Sequence, residues 1–287
     1  MQMRFLALIS VVALLACAEP SPARPSGYSL ELKPGLHANL QCEGVAYDLY
    51  VPDLKTQSAQ SYRLLLVLPG WKFDKSRWYK ETSLKQFADA NAMILILPQM
   101  NISLYASQYF PQTTMKWHRY PGLVFVNQHL IPELHKKYGF FQKGMPNFLL
   151  GLSTGGRGVA QIALSNPGLF RAGASLSGDY DQSVMPGDNL MRAVYGPYEK
   201  FKERWKTIDN PQHAAADWAM PLYLAHGTAD KIVPPSQTQR LYDAIVSAKG
   251  KEFPVQLDMV PGAGHDFHFW NSRLKASFAF FSKYYDQ

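Results

Sequence analysis

Cysteines, metal-ligand clusters and long apolar runs are all scarce in this chain. Only two of its 287 residues are cysteines, Cys17 and Cys42, which excludes a small scaffold held together by several disulfides. No Cys and His residues stand at the spacing of a metal site, so neither a metal ion nor another cofactor is expected. The apolar run at residues 5–16 is short for a transmembrane helix, so a bilayer-spanning domain is not expected.

A strong concentration of one charge is also missing. The formal net charge is +7, but Lys and Arg are scattered and are dense only at residues 136–137 and 200–206. In the second stretch opposite charges stand three residues apart, as in Glu203 and Lys206, which is typical of a solvated helix face. No nucleic-acid partner is therefore expected.

Apolar residues are abundant and occur in short, regularly spaced runs. At 47% hydrophobic residues the chain can bury one large core, and no repeat or long internal linker divides it. The alternation of predicted strands and helices indicates an α/β fold with a mostly parallel central sheet and helices on both faces. The predicted strands are residues 46–51, 63–68, 93–97, 147–150, 172–175, 222–225 and 255–260. The predicted helices are residues 84–91, 121–137 with a kink at Pro132, 156–165, 236–248 and 267–284. The first strand is a candidate for an antiparallel edge strand.

A serine at a strand-to-helix turn is the first candidate catalytic residue. Ser153 is the centre of the sequence GLSTG at residues 151–155, after a predicted strand and before a predicted helix. Such a turn exposes the serine hydroxyl, and the flanking glycines avoid clashes where the chain bends sharply. The motif alone is equally compatible with a structural glycine turn, so its interpretation depends on partner residues elsewhere.

Two later strand ends carry the partners that a nucleophilic serine needs. Asp230 follows the predicted strand 222–225, and His265 follows the predicted strand 255–260 in a glycine-rich loop. A histidine can take the serine proton and a carboxylate can orient that histidine. The chain order Ser, Asp, His differs from that of chymotrypsin and subtilisin. Asp266 is the rival carboxylate, but adjacent side chains on one loop rarely reach each other in the required geometry.

These motifs resemble those of the α/β-hydrolase superfamily and, within it, of the esterase D-like group, which is related to feruloyl esterases and mycolyltransferases. The matching stretches are residues 151–158, 175–178, 226–234 and 264–265, followed by Trp270. The resemblance implies the α/β-hydrolase fold with a triad of Ser153, Asp230 and His265. It leaves the substrate open.

One stretch departs from the pattern of these relatives. Many of them have a His-Gly pair after an early core strand, where this chain has Pro69 and Gly70 before Trp71. The pair turns the backbone so that an amide points into the oxyanion hole, which requires the glycine more than the histidine. The expected oxyanion donors are therefore the backbone N–H groups of Trp71 and Thr154. An ordinary turn at Pro69 and Gly70 is the alternative.

A substrate pocket is expected where two irregular stretches, residues 99–120 and 178–218, leave the carboxyl edge of the predicted sheet. The candidate pocket residues are Trp117, Asp179 and Trp270. Aromatic side chains suit an apolar or sugar-like group, but they are equally compatible with packing. Asp179 is equally compatible with a role in a turn.

The amino terminus has the pattern of an export signal. Arg4 precedes the apolar run, and residues 14–17, Leu-Leu-Ala-Cys, resemble a bacterial lipobox, in which the cysteine is lipidated and becomes the first mature residue. We therefore expect lipid on Cys17 and an exported lipoprotein of the bacterial cell envelope, periplasmic or on the surface. A plain secretory signal cut near the same place is the alternative.

The expected organisation of the chain follows from these segments. It comprises a signal peptide at residues 1–16, a lipidated tether and N-terminal segment at residues 17–40, and an α/β-hydrolase catalytic domain at residues 41–287. The only expected contact with a membrane is through the N-terminal lipid.

The expected activity is that of a serine carboxylic-ester hydrolase working through an acyl-enzyme on a small-molecule or polymer-linked ester. An acyltransferase or a peptidase uses the same triad, and both stay open. A non-catalytic surface binding protein is a further alternative, although such a protein need not keep all three triad residues. The sequence does not indicate an oligomeric state.

Overall fold

A computed structural model describes residues 32–53 and 61–286 of the chain. Within these residues eight strands form one sheet. The strands are β1 Gly35–Cys42, β2 Val45–Val51, β3 Arg63–Leu68, β4 Met93–Pro98, β5 Asn147–Leu152, β6 Ala172–Leu176, β7 Leu222–Gly227 and β8 Val255–Val260. The seven strands predicted from the sequence are confirmed, with ends that differ by at most two residues.

The sheet is mostly parallel, as predicted. Its strand order is β1-β2-β4-β3-β5-β6-β7-β8, and every pair from β4 to β8 is parallel. Strand β2 is antiparallel to both β1 and β4, so the predicted antiparallel direction is right.

The prediction that this strand forms the edge of the sheet is wrong, because β1 pairs outside it. Strand β1 was not predicted, since its alternating and largely half-exposed sequence GLHANLQC lacks the apolar run of the central strands. It begins at Gly35, so the sheet starts inside residues 17–40, which are predicted from the sequence to be the tether and N-terminal segment.

Two apolar layers hold helices against the two faces of the sheet. The helices are α1 Arg77–Lys80, α2 Leu84–Ala90, α3 Gly122–Val124, α4 Ile131–Tyr138, α5 Thr154–Ser165, α6 Asn189–Tyr195, α7 Lys202–Thr207, α8 Ser236–Lys249 and α9 Phe267–Ser282. One face carries α3, α4, α5 and α8, and the other carries α1, α2 and α9. Strands β3 to β7 are buried on both sides, which is why they read as nearly continuous apolar runs.

The long helix predicted at residues 121–137 is interrupted. A π-helical turn, Phe125–Leu130, joins α3 to α4, and Pro132 then lies in the first turn of α4. Proline lacks the N–H that a continuous helix would need at that position, whereas the first turn of a new segment needs no such donor. The irregularity therefore lies just before Pro132 and takes the form of a π-helical turn.

The region beyond the carboxyl ends of β5 and β6 has a small core of its own. Helices α6 and α7, which were not predicted, pack there around Tyr195 and Trp205 together with Leu104 from the loop after β4. This layer lies at the edge of the sheet where the loops after parallel strands meet. Among the described residues, no helix combines the length and the apolar character needed to cross a bilayer.

Candidate active site

Ser153 occupies a strained turn between β5 and α5. Its φ of 54° and ψ of −125° lie outside the usual regions for a residue with a side chain. The turn requires glycine on both sides: a Cβ on Gly151 would lie 2.1 Å from the carbonyl oxygen of Gly155, and one on Gly155 would lie 2.3 Å from that of Leu68. The GLSTG sequence is therefore required by the backbone itself, which presents Ser153 at the carboxyl edge of the sheet.

The three residues singled out by the sequence are brought together. The hydroxyl of Ser153 lies 2.9 Å from Nε2 of His265, and Nδ1 of His265 lies 2.6 Å from Oδ2 of Asp230. Because a carboxylate only accepts hydrogen bonds, Nδ1 of His265 carries the proton and Nε2 is free to accept one from Ser153. These contacts join loops at the ends of β5, β7 and β8. Ser153 and His265 lie 112 residues apart in the chain, and Asp230 and His265 lie 35 apart.

Asp230 is held by four hydrogen bonds. Its Oδ1 accepts from the backbone N–H groups of Ile232 at 2.8 Å and Val233 at 2.9 Å. Its Oδ2 lies near the imidazoles of His226 and His265. Burial alone would raise the pKa of the Asp230 carboxyl, but the hydrogen bonds from the two histidines and from Val233 hold that pKa below its ordinary value. Asp230 is therefore ionised at neutral pH.

The rival carboxylate has a different task. Asp266 is the N-cap of α9, and its Oδ1 accepts a hydrogen bond from the N–H of Phe269 at 2.8 Å. Among the described residues, the acidic partner of His265 is Asp230 and not Asp266.

Trp270 was proposed as a pocket residue, and this prediction is wrong. Its side chain is fully buried and packs edge-on against the ring of His265, with ring centres 5.0 Å apart and an interplanar angle of 85°. Its indole N–H donates to Oγ of Ser177. Trp270 faces inward because α9 packs its apolar side against the sheet. Its indole ring therefore supports the imidazole of His265.

The two proposed oxyanion donors lie beside Ser153. Trp71 and Thr154 both line the cavity that contains the Ser153 hydroxyl. Neither backbone N–H has a hydrogen-bond acceptor among the described residues, as expected for Thr154 at the first position of a helix. A Cβ on Gly70 would lie 3.1 Å from Cβ of Ser153, so this glycine lets the Trp71 loop approach Ser153 closely.

The cavity has a volume of about 350 Å³ and is mainly apolar. Its apolar lining is formed by Trp71, Phe73, Leu104, Met185, Leu190, Met191, Ile232 and Val233. Ile232 is 72% exposed and stands at the outer rim. Asp179 and Asp188 supply the acidic groups of the lining. Of the three predicted pocket residues only Asp179 lies in this cavity.

Trp117 lies elsewhere, which corrects the second pocket prediction. It packs edge-on against Phe125 of the π-helical turn, at a ring-centre distance of 5.5 Å. Met185, Leu190 and Met191, which do line the cavity, follow Asp181 in a stretch whose sequence carries no periodic signal, which is why they were missed.

Asp179 combines burial with an ion pair. Its carboxylate lies 3.2 Å from Nη1 of Arg157, which is fully buried. Burial raises the pKa of Asp179 to about 6, the Arg157 guanidinium opposes that rise, and the nearby carboxylate of Asp188 adds to it. Arg157 also donates to Gln182 and Tyr195, so only some of its N–H donors are directed at Asp179.

A second cavity of similar volume lies between the turn that joins β1 to β2 and the segment formed by the π-helical turn and α4. It is lined by Gln41, Cys42, Glu43, Gln128, His129, Pro132, Glu133 and Lys136. It shares no residue with the cavity at Ser153, and it lacks the strand-end motifs that bring nucleophile, base and acid together.

Several solved structures share this fold at low sequence identity. FphF, a fluorophosphonate-binding serine hydrolase of Staphylococcus aureus, is 18% identical at a TM-score of 0.63, with 87% of this chain and 99% of that chain covered. A ferulic acid esterase is 18% identical at a TM-score of 0.61, with 87% and 99% covered. A puromycin-hydrolysing peptidase of Mycobacterium tuberculosis is 16% identical at a TM-score of 0.63, with 88% of this chain but 40% of that chain covered. No curated protein is similar enough in sequence to match.

The comparisons confirm the α/β-hydrolase fold that the resemblance in sequence implies. The model of the prolyl oligopeptidase family matches residues 137–287, which is more than half of the chain and includes Ser153, Asp230 and His265. The chain belongs to the prolyl oligopeptidase family and has the α/β-hydrolase fold of serine hydrolases.

Proposed function

We propose that the protein is a serine carboxylic-ester hydrolase that works through an acyl-enzyme. The observation that carries this proposal is the continuous hydrogen-bond path from Ser153 through His265 to Asp230, which opens into a largely apolar cavity. A hydroxyl, a base with a free acceptor nitrogen and an ionised carboxylate in this order are the parts that acyl transfer to serine requires.

Acylation begins when Oγ of Ser153 attacks the ester carbonyl carbon. Nε2 of His265 takes the hydroxyl proton, and Asp230 stabilises the resulting imidazolium through its Nδ1–H. The carbonyl oxygen becomes an oxyanion, which accepts hydrogen bonds from the backbone N–H groups of Trp71 and Thr154. As the carbon–oxygen bond to the leaving group breaks, Nε2–H returns its proton to the departing alkoxide.

Deacylation repeats these steps with water. Nε2 of His265 takes a proton from the water molecule as its oxygen attacks the acyl carbon. The bond from that carbon to Oγ of Ser153 then breaks, and the proton on Nε2 passes to Oγ. The acid leaves, and Ser153 and His265 return to their starting states.

Two observations favour ester hydrolysis over peptide hydrolysis: the lining of the cavity, and the share of each structural neighbour that this chain covers. The apolar lining of the cavity suits an acyl chain. The chain also spans nearly all of FphF and of the ferulic acid esterase but 40% of the puromycin-hydrolysing peptidase. Transfer to an alcohol uses the same acyl-enzyme, with the alcohol in place of water.

A matched pair of chromogenic substrates tests this assignment. We expect turnover of a p-nitrophenyl ester with little turnover of the p-nitroanilide of the same acyl group, and release of free acid when an alcohol acceptor is added. A preference for the anilide would favour a peptidase, and acyl transfer to the alcohol would favour a transferase. No turnover of either substrate would favour a binding protein.

We also propose that the protein is exported and anchored through lipid on Cys17. This residue lies outside the described residues, and the support comes from the lipobox-like sequence at residues 14–17 after a short apolar run. An acylated cysteine would hold the catalytic domain at a membrane surface of the cell envelope.

A further inference from the structure

A second imidazole contacts the carboxylate of Asp230. His226, near the end of β7, is completely buried, and its Nε2 lies 3.1 Å from Oδ2 of Asp230. That same oxygen lies 2.6 Å from Nδ1 of His265. Asp230 therefore uses one oxygen for both histidines and the other for the two backbone N–H groups of its own loop.

The neighbours of His226 determine where its proton lies. Nε2 faces Oδ2 of Asp230 and, at 3.1 Å, the carbonyl oxygen of Val233, and both of these atoms only accept hydrogen bonds. Nε2 must therefore carry a proton. Nδ1 lies 2.6 Å from Oγ1 of Thr238, a hydroxyl that can donate to it. A neutral imidazole with its proton on Nε2 satisfies all three neighbours.

The loop that joins the two residues is fixed by the backbone. The N–H of Asp230 donates to the carbonyl oxygen of Gly227 at 3.2 Å, and that of Ala229 donates to the carbonyl oxygen of Ala263 at 2.9 Å. A Cβ on Gly227 would lie 2.3 Å from the same oxygen of Ala263, so the two loops approach as closely as they do because residue 227 is glycine. The distance between His226 and Asp230 is thus set by a rigid turn.

We propose that His226 is a positioning residue of the active site: by donating to Oδ2 of Asp230 it fixes that carboxylate and limits how strongly it binds the charged form of His265. This inference deepens the proposed function and rests on it. A carboxylate oxygen shared by two donors gives each of them a weaker hydrogen bond than it would give one alone. His226 acts through Asp230 and has no contact with Ser153.

Two effects follow from the loss of this donor. Asp230 loses one of its four hydrogen bonds and is held less firmly, so His265 is oriented less well and kcat falls. The remaining interaction of Asp230 with His265 also strengthens, which stabilises the imidazolium and moves the acidic limb of the kcat/KM profile to higher pH. A residue that serves only in packing would not move that limb.

Few other groups can titrate near His226. Asp230 faces it from the following loop, His265 faces it through that carboxylate, and Tyr180 lies beside Thr238 from the loop after β6. Burial raises the pKa of Tyr180, so this phenol stays neutral at and below neutral pH. A change in the acidic limb can therefore be assigned to the pair of His265 and Asp230.

Two variants of similar volume separate donation from packing. In His226→Gln the amide nitrogen reaches about as far as imidazole Nε2 and can donate to Asp230, whereas His226→Leu cannot donate. With a p-nitrophenyl ester we expect His226→Leu to lower kcat by roughly 10- to 100-fold at an unchanged KM, the size of one charge-assisted hydrogen bond. We expect its acidic limb to rise by roughly half a pH unit to one unit. His226→Gln should keep kcat within about threefold of wild type.

The opposite outcomes overturn the proposal. Wild-type kcat and acidic limb in His226→Leu would do so, and so would equal losses in both variants with no change in the limb. If His226→Leu does not fold, Thr238→Val and Thr238→Ser decide. Loss of the hydroxyl in Thr238→Val should lower kcat several-fold, and Thr238→Ser should keep the wild-type kcat. Equal activity of the two variants contradicts the proposal.

Ser153→Ala distinguishes a failure of the proposed function from a failure of this inference alone. Hydrolysis that survives it contradicts the proposed function as well, whereas Ser153-dependent hydrolysis that is unchanged in His226→Leu contradicts this inference alone.

Discussion

Arg157 and Asp179 form a buried ion pair that joins the helix of the candidate nucleophile to the wall of the cavity. Nη1 of Arg157 lies 3.2 Å from Oδ2 of Asp179, and both side chains are almost completely buried. Arg157 follows Ser153 by four residues on α5, and it also donates to the backbone carbonyl oxygen of Asp209 and to the hydroxyl of Tyr195. One guanidinium thus connects α5 to the segment that carries α6 and α7.

Removing this guanidinium should destabilise the protein strongly. Arg157→Met leaves the carboxylate of Asp179 buried without its cation, and breaking a buried pair from one side costs about 3–5 kcal/mol. Adding Asp179→Asn should recover part of that loss, because no unpaired charge then remains. Urea unfolding of the single and double variants near neutral pH measures both effects. A loss below about 1 kcal/mol in Arg157→Met would show that the pair contributes little.

The raised pKa of Asp179 predicts a specific dependence of stability on pH. An acid whose pKa is about 6 in the folded protein, against an ordinary value of 3.8, binds its proton more readily when folded. Its contribution to stability is therefore complete below the ordinary pKa and is lost as the pH rises through about 6. The neutral side chain in Asp179→Asn cannot show this loss.

We expect the free energy of unfolding of wild type, relative to that of Asp179→Asn, to fall between about pH 4 and pH 7. The fall should not exceed a few kcal/mol, because one pKa unit corresponds to about 1.4 kcal/mol. Urea unfolding of both proteins at several pH values gives the difference directly. A difference that increases with pH would mean that Arg157 holds the pKa of Asp179 below its ordinary value.

Asp230 and Asp266 should differ sharply when each is changed to asparagine. Asp230→Asn offers an amide to His265 and permits the wrong tautomer, so kcat for a p-nitrophenyl ester should fall by roughly 10²- to 10⁴-fold. Asp266→Asn keeps a side chain that caps helices well, so neither kcat nor the unfolding midpoint should change much. The matched kcat values of the two variants are the measurement, and the reverse ranking would contradict the assignment of the acid.

The grouping of Ser153, Asp230 and His265 was predictable because each residue is marked by local sequence. Ser153 requires glycine neighbours for steric reasons, and Asp230 and His265 follow apolar runs that end in glycine-containing loops. The parallel sheet then brings these three residues close together, because the carboxyl ends of its strands lie along one edge. The central strands were predictable for the related reason that burial on both faces leaves continuous apolar runs.

The cavity wall was not predictable in the same way. Trp117 and Trp270 were chosen for residue type, but what places a tryptophan is the packing of distant segments: Trp117 lies against the π-helical turn and Trp270 behind His265. Leu190 and Met191 line the cavity because Asp188 caps the short helix α6 above the strand ends. That placement depends on Arg157 and on other contacts far apart in sequence.

Replacing Cys17 with serine tests the proposed anchor. If Cys17 is lipidated, wild-type protein should partition into the membrane fraction, because an acyl chain contributes about 0.8 kcal/mol for each buried CH₂ group. Cys17→Ser removes the acceptor of the lipid, so any exported form should be soluble and should keep its esterase activity. Fractionation and the mass of the mature amino terminus are the measurements. Wild-type protein found entirely in the soluble fraction with an unmodified terminus would leave only a cleaved signal.

The central claim is that Ser153 is the nucleophile, and the kcat of Ser153→Ala for a p-nitrophenyl ester tests it most directly. The strained turn is set by Gly151 and Gly155, so the variant should fold with an unfolding midpoint close to that of wild type. Its kcat should fall by a factor on the order of 10⁴ or more, because neither His265 nor the oxyanion donors can replace the missing oxygen. A folded Ser153→Ala protein that hydrolyses the ester at the wild-type rate would contradict the account.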